Sequence, residues 1–132
     1  MARPLKQGID YYPMDVRFLH DMKIKKIMKA NGPQSVAVLI CLLGSIYCDS
    51  GYYMRWDEDV RFLIADEVGV NESLVHEVVK KALQVSFFDQ EMFEKYQVLT
   101  SAGIQKRFLE ATSRRVNGGI KPELSLVNDD IN

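Results

Sequence analysis

The residues able to do chemistry in this 132-residue chain are cations and short polar side chains, and their spacing suits phosphate and base contact. Lys80 and Lys81 fall near the end of an amphipathic segment whose start carries Asn71, Ser73 and His76. Lys95 follows in a polar stretch, and Lys106, Arg107, Arg114 and Arg115 stud a later amphipathic segment. Lysine and arginine displace the counterions that surround nucleic acid, while Asn, Ser and His offer hydrogen bonds to bases or sugar.

Other chemistries find little support. The two histidines, His20 and His76, have no Cys, Asp or Glu at metal-ligand spacing, so no metal is expected and His76 reads as a surface residue. No phosphate-cradling glycine loop, nucleophile elbow or HExxH occurs. Acidic pairs such as Asp57/Asp59 and Asp66/Glu67 sit where helix capping accounts for them. Catalysis and a cofactor are not expected.

The segment from Asp57 to Leu99 must position these groups. Asp57 is a favoured N-cap, and Val60, Leu63, Ile64 and Val68 come after it at helical spacing up to Gly69, where a left-handed cap belongs. Asn71 caps a second helix, with Leu74, Val75, Val78, Val79, Ala82 and Leu83 on its core side. The other side carries Ser73, Glu77, Lys80 and Gln84, with His76 and Lys81 at the margins. Phe87-Phe88 and Tyr96 to Leu99 have strand composition, so Asp89 to Lys95 reads as a hairpin turn with Lys95 at its tip. The resulting fold class is mainly α with a small antiparallel β-sheet, a winged helix-turn-helix.

Around this unit, residues 1–13 form an N-terminal arm ending in Tyr11-Tyr12-Pro13, with the aromatic pair a candidate clasp. Residues 14–116 form the winged-helix domain, and 117–132, with two glycines and a proline, read as a linker or disordered tail. Asp15 caps a short turn, and Asp21 opens a helix with Met22, Ile24, Ile27 and Met28 apolar and Lys23, Lys25, Lys26 and Lys29 between them. Those lysines are either a solvated face or a cationic patch. Asn31-Gly32-Pro33 breaks the chain. Ser35 to Cys48 is apolar on nearly every face, as in a rod buried on all sides. Tyr52 to Trp56 alternates like a strand able to join the sheet. Thr100 or Ser101 caps a last helix running to about Val116, striped by Ile104, Phe108, Leu109 and Thr112.

Composition bounds the setting. A formal net charge of −1 and an apolar content of 47% describe an ordinary globular chain. No apolar run approaches the ~20 residues of a bilayer span, and the N-terminus lacks the apolar core of a signal peptide, so a cytoplasmic protein without membrane contact is expected. Cys41 and Cys48, seven residues apart in one helix, would lie roughly 10 Å from one another, too far for a disulfide, and read as buried reduced thiols.

Charge complicates the nucleic-acid reading. Asp57 to Gln84 holds seven acids against three bases, whereas residues 15–31 carry five bases against two acids and 100–116 carry four against one. If those basic helices flank the second helix, DNA binding is expected. If they do not, the acidic surface favours a protein partner, and the domain is an interaction or oligomerisation module without direct DNA contact.

Three stretches also carry a family resemblance: GIDYYPMDVRFLHDMKIKKIMKANGPQSVAVLICLL, YYMRWDEDVRFLIADEVGVNESLVHEVVKKAL and LTSAGIQKRFLEATSRR. Across residues 6–116 the chain resembles the N-terminal domain of uncharacterised phage and prophage proteins related to DnaD-like replisome organisers. Gly8 to Pro13 and Leu99 to Arg107 are its most specific pieces. The resemblance implies a winged-helix domain, DNA as partner during replication initiation, and association with itself or with replication proteins. Family members carry a longer, charged C-terminal part, whereas this chain ends soon after Arg115, as an N-terminal fragment or a short member would.

Overall fold

A computed structural model describes residues 7–114 and 119–127. Six α-helices and a two-stranded antiparallel ribbon make up the regular structure of these residues, together with two short 3₁₀ turns, Phe18–His20 and Pro122–Leu124. The helices are α1 (Met22–Asn31), α2 (Gln34–Cys48), α3 (Glu58–Val68), α4 (Glu72–Gln84), α5 (Gln90–Tyr96) and α6 (Ala102–Ala111). The strands are β1 (Met54–Arg55) and β2 (Val98–Leu99), with Met54 opposite Leu99 and Arg55 opposite Val98.

The helix starts obey local chemistry. Asp21 accepts from the backbone N–H groups of Lys23 (2.8 Å) and Ile24 (3.3 Å), Asp57 from Val60, Asn71 from Leu74, Asp89 from Met92 and Ser101 from Ile104. Each satisfies an N–H that the helix itself leaves without a partner. Asp21→Ala is expected to lower stability by about 1 kcal/mol, read as a shift in the urea midpoint at unchanged slope.

α2 is the central element. α1 and α3 each pack on both α2 and α4, and α2 and α4 pack on each other, so α1 and α3 lie on opposite flanks of that pair. Val38, Leu39, Leu42, Leu43, Ile46 and Tyr47 of α2 are buried against Ile24, Ile27, Ile64, Val75, Val78 and Phe88. The expectation that α2 is buried on every side is corrected here. Ala37, Ile40 and Cys48 are exposed, because its neighbours leave one stripe uncovered. Cys48 is therefore a surface thiol and Cys41 a half-buried one. Both are free, and burial, with the nearby Glu67 carboxylate as the smaller cause, pushes the Cys41 thiol up.

The expected hairpin is also corrected. Phe87-Phe88 is not a strand, and the stretch read as a turn is the helix α5. Asp89 caps it, and its own N–H donates to the Thr100 carbonyl (2.8 Å). Met92, Phe93 and Tyr96 repeat at helical spacing, and Gln97 ends the helix at φ 54°. The partner of β2 is β1, drawn from the Tyr52 to Trp56 stretch, so the ribbon joins segments on either side of α3–α5.

The arm closes over the end of α2. Ile9 is buried, its N–H donates to the Tyr47 carbonyl (2.8 Å), and the Tyr12 and Tyr47 rings stack with centroids 4.4 Å apart. Gly8 lies so close to the Cys48 carbonyl that a side chain there has no space. Tyr12 thus serves an internal contact and Tyr11 stays exposed, while Trp56 is core and Phe87 half-buried. Among the described residues no helix is long and apolar enough to cross a membrane.

Candidate nucleic-acid interface

The surface built from α4 begins with a tight turn. Gly69 at φ 84° ends α3, its N–H and that of Val70 both reach the Ala65 carbonyl (2.8 and 3.0 Å), and Asn71 starts α4 two residues later. Only glycine takes that left-handed conformation without strain. The turn buries Val75, Val78, Val79 and Ala82 and leaves Ser73, His76, Glu77, Lys80 and Gln84 exposed along one stripe, with Lys81 half-buried beside it. Asn71 is committed to its cap, accepting from the Leu74 N–H at 2.8 Å.

α1 lies antiparallel alongside that stripe. At one end the Lys23 ammonium donates to the Ser86 carbonyl (3.0 Å). At the other the Asn31 amide donates to the Glu77 carbonyl (3.4 Å). Ala30 and Asn31 share a shallow depression with Asn71, Ser73 and Glu77. Lys26, three residues after Lys23 and four before Ala30, is exposed on the same helix one turn further along. The basic helix read from residues 22–30 therefore flanks α4 and adds Lys23 and Lys26 to Lys80 and Lys81. The signal in the sequence is the lysine run itself; only packing shows which lysines turn toward α4.

The acids of this region go elsewhere. Glu58, Asp59, Asp66 and Glu67 are exposed on α3, across the α2–α4 pair from α1. Glu72 pairs with Arg61 at 3.3 Å, which leaves Glu77 as the acid in the α4 stripe. The excess of acid in the sequence of this segment is thus sorted by the fold into an acidic flank and a basic one.

The remaining candidate residues do not lie on the α4 stripe. Lys95 is on α5, paired with Glu91 at 3.0 Å across one turn, and that contact raises its pKa. Lys95 is therefore not the tip of a hairpin, and Lys95→Ala is expected to leave the thermal midpoint essentially unchanged, because an exposed ion pair of this kind is screened by solvent. Lys106 and Arg114 are exposed on and just after α6. Arg107 is half-buried, its guanidinium donating to the Tyr47 hydroxyl at 3.5 Å, and it lines a cleft of about 680 Å³ that Arg17, Lys23 and Ser86 also line. Burial, the largest cause, pushes the Tyr12 and Tyr47 phenols up, against a smaller opposing pull from Arg107. Arg115 lies outside the described residues.

Comparison with known proteins places the chain in context. The model of the family described as Lin1244/Lin1753-like, N-terminal, matches residues 11–104. The chain belongs to the Lin1244/Lin1753-like family. An uncharacterized phage-related protein Lin1244/Lin1753 of Listeria innocua serovar 6a is 35% identical over 152 aligned positions, covering 100% of this chain and 50% of the relative. The chain thus spans about half the length of this family relative. No solved structure matches.

Proposed function

We propose that this member of the Lin1244/Lin1753-like family is a DNA-binding domain of a phage-type replication-initiation protein. In this reading α3, the Gly69 turn and α4 form a helix-turn-helix, α4 is the recognition helix, and the β1–β2 ribbon with α5 stands in the place of the wing. The observation that carries it is the segregation of charge: Lys23, Lys26, Lys80 and Lys81 belong to the packed helices α1 and α4, while the carboxylates of Glu58, Asp59, Asp66 and Glu67 are exposed on α3. Phosphate contacts supply most non-specific affinity, and a basic face beside an exposed helix is what such contacts need. Ser73, His76 and Gln84 on the same stripe offer hydrogen bonds to bases. The phage-related description of the Listeria relative is compatible with a role in phage DNA metabolism.

Titration of fluorescently labelled duplex and single-stranded DNA at two or more salt concentrations tests the reading. Binding that weakens steeply as salt rises is expected. Absence of binding to either probe at about 50 mM salt overturns it.

A further inference from the structure

The cleft that Arg107 lines has a volume of about 680 Å³, within the roughly 300–1,000 Å³ of small-molecule sites. Two kinds of side chain form its walls. Tyr12, Phe18 and Phe87 supply half-buried aromatic rings, and Tyr12 is itself stacked on Tyr47. Arg17, Lys23 and Arg107 supply cations, none of which has a carboxylate partner among the described residues. Asp15, Asp21 and Asp89 also line the cleft, but each is engaged by the backbone at the start of a turn or helix. Asp15 accepts from the Arg17 N–H (2.7 Å), Asp21 from those of Lys23 and Ile24, and Asp89 from that of Met92 (2.9 Å). The donors of the cations are less used. The Arg17 guanidinium makes no hydrogen bond among the described residues, Lys23 makes one to the Ser86 carbonyl, and Arg107 makes the long one to Tyr47. Arg107 also folds back along α6, where a side chain at Gly103 would meet its guanidinium at 3.4 Å. A cation lying against the first turn of its own helix, with no carboxylate beside it, is stabilised by an anion.

We infer that this cleft binds a nucleoside phosphate, its base against the rings of Tyr12, Phe18 and Phe87 and its phosphate on Arg17, Lys23 and Arg107. The two kinds of wall call for the two halves of one ligand. Every base has a flat face that stacks on an aromatic ring, and a guanidinium offers a phosphate two parallel N–H donors. An anion without a ring leaves the aromatic wall unused, and an apolar ligand leaves the cations without an acceptor. In a duplex the base faces are covered by their neighbours, so the ligand is a free nucleotide or an unpaired nucleotide of a strand. The inference does not rest on the DNA-binding reading, because a free nucleotide tests it and Arg17, Arg107 and the three rings lie off the α4 stripe.

NMR titration of the isotope-labelled full chain with the monophosphates of deoxyadenosine, deoxyguanosine, deoxycytidine and thymidine, up to about 5 mM, tests it. Shift changes are expected at Phe18, Lys23, Phe87, Gly103 and Arg107. Thymidine alone and inorganic phosphate alone should each bind at least about tenfold more weakly than thymidine monophosphate. Arg17→Gln and Arg107→Gln should each weaken binding about tenfold. Arg17 is exposed, so its variant keeps the test open if the half-buried Arg107 proves necessary for folding, which circular dichroism checks. Lys25→Gln, at an exposed lysine that does not line the cleft, should bind as the wild type does. So should the chain with Lys26, Lys80 and Lys81 replaced by glutamine, which separates this site from duplex binding. A strand of about ten thymidines separates the two sources: binding more than about tenfold tighter than thymidine monophosphate assigns the site to a strand, and equal binding to a free nucleotide. No shifts with any monophosphate, equal shifts of the same amides by inorganic phosphate, or unweakened binding by the folded arginine variants overturns the inference.

Discussion

Replacing Lys26, Lys80 and Lys81 together by glutamine should weaken DNA binding about 100-fold at low salt and make the salt dependence shallower by about three in log–log slope. The expectation comes from where the fold puts these ammonium groups. Lys80 is exposed on the α4 stripe, Lys81 is at its margin, and Lys26 is exposed on α1, which packs on α4. Each is in place to displace roughly one condensed counterion, and glutamine keeps a polar side chain of similar bulk while removing that capacity. The paired control is Lys106→Gln with Arg114→Gln. Both residues are exposed cations as well, but they belong to α6 and its end, which is not among the main packing partners of α4, and their loss should change affinity by less than about threefold. Equal losses from both sets would place the binding surface on α6 instead. Fluorescence anisotropy with one duplex probe across a salt series reads both quantities.

Gln105→Leu should cost about 2–4 kcal/mol in urea unfolding, more than the loss of any helix cap. Gln105 is fully buried, and its amide holds three separate parts of the chain. Its Nε2 donates to the Thr100 hydroxyl (3.2 Å) and the Leu124 carbonyl (2.8 Å), and its Oε1 accepts from the Leu126 N–H (2.7 Å). The Thr100 hydroxyl in turn donates to the Tyr52 carbonyl, beside β1. Leucine fills much the same volume but leaves these backbone groups without their partner in a buried setting. The segment 119–127 should then exchange its amide protons faster than the rest of the core, which hydrogen exchange measures directly. Exchange unchanged at Leu124 and Leu126 would mean that the segment is held by its apolar contacts alone.

How far the sequence can be read depends on whether the deciding forces are local. Asp21, Asp57, Asn71 and Ser101 cap their helices because a side-chain oxygen reaches an N–H two or three residues on, and a strict periodicity marks the helix beyond each cap. Gly69 is legible as a turn for the same reason. The α5 segment misleads because Phe87-Phe88 and Tyr96 to Leu99 suggest strands on composition, whereas the Asp89 cap and the spacing of Met92, Phe93 and Tyr96 specify a helix. The uncovered stripe of α2 is a tertiary property, set by which neighbours pack on it. Gln105 stays hidden because a polar residue on a helix gives no local sign that it will be buried against segment 119–127. Most of the candidate interface is visible as residue types: Ser73, His76 and Lys80 line one stripe, with Lys81 at its margin. Local pattern does not supply the sorting of charge, because whether α1 or α6 flanks α4 depends on contacts between residues more than forty positions apart, such as Lys23 with Ser86 and Asn31 with Glu77.

Amide-resolved NMR titration of the isotope-labelled chain with a short DNA duplex tests the α1–α4 interface most directly. The expected result is that shift changes concentrate at Lys23, Lys26, Ser73, His76, Lys80 and Gln84, with the outer face of α3 and the end of α6 left unmoved. Changes centred on α6, or no changes at a several-fold excess of DNA in low salt, would contradict it.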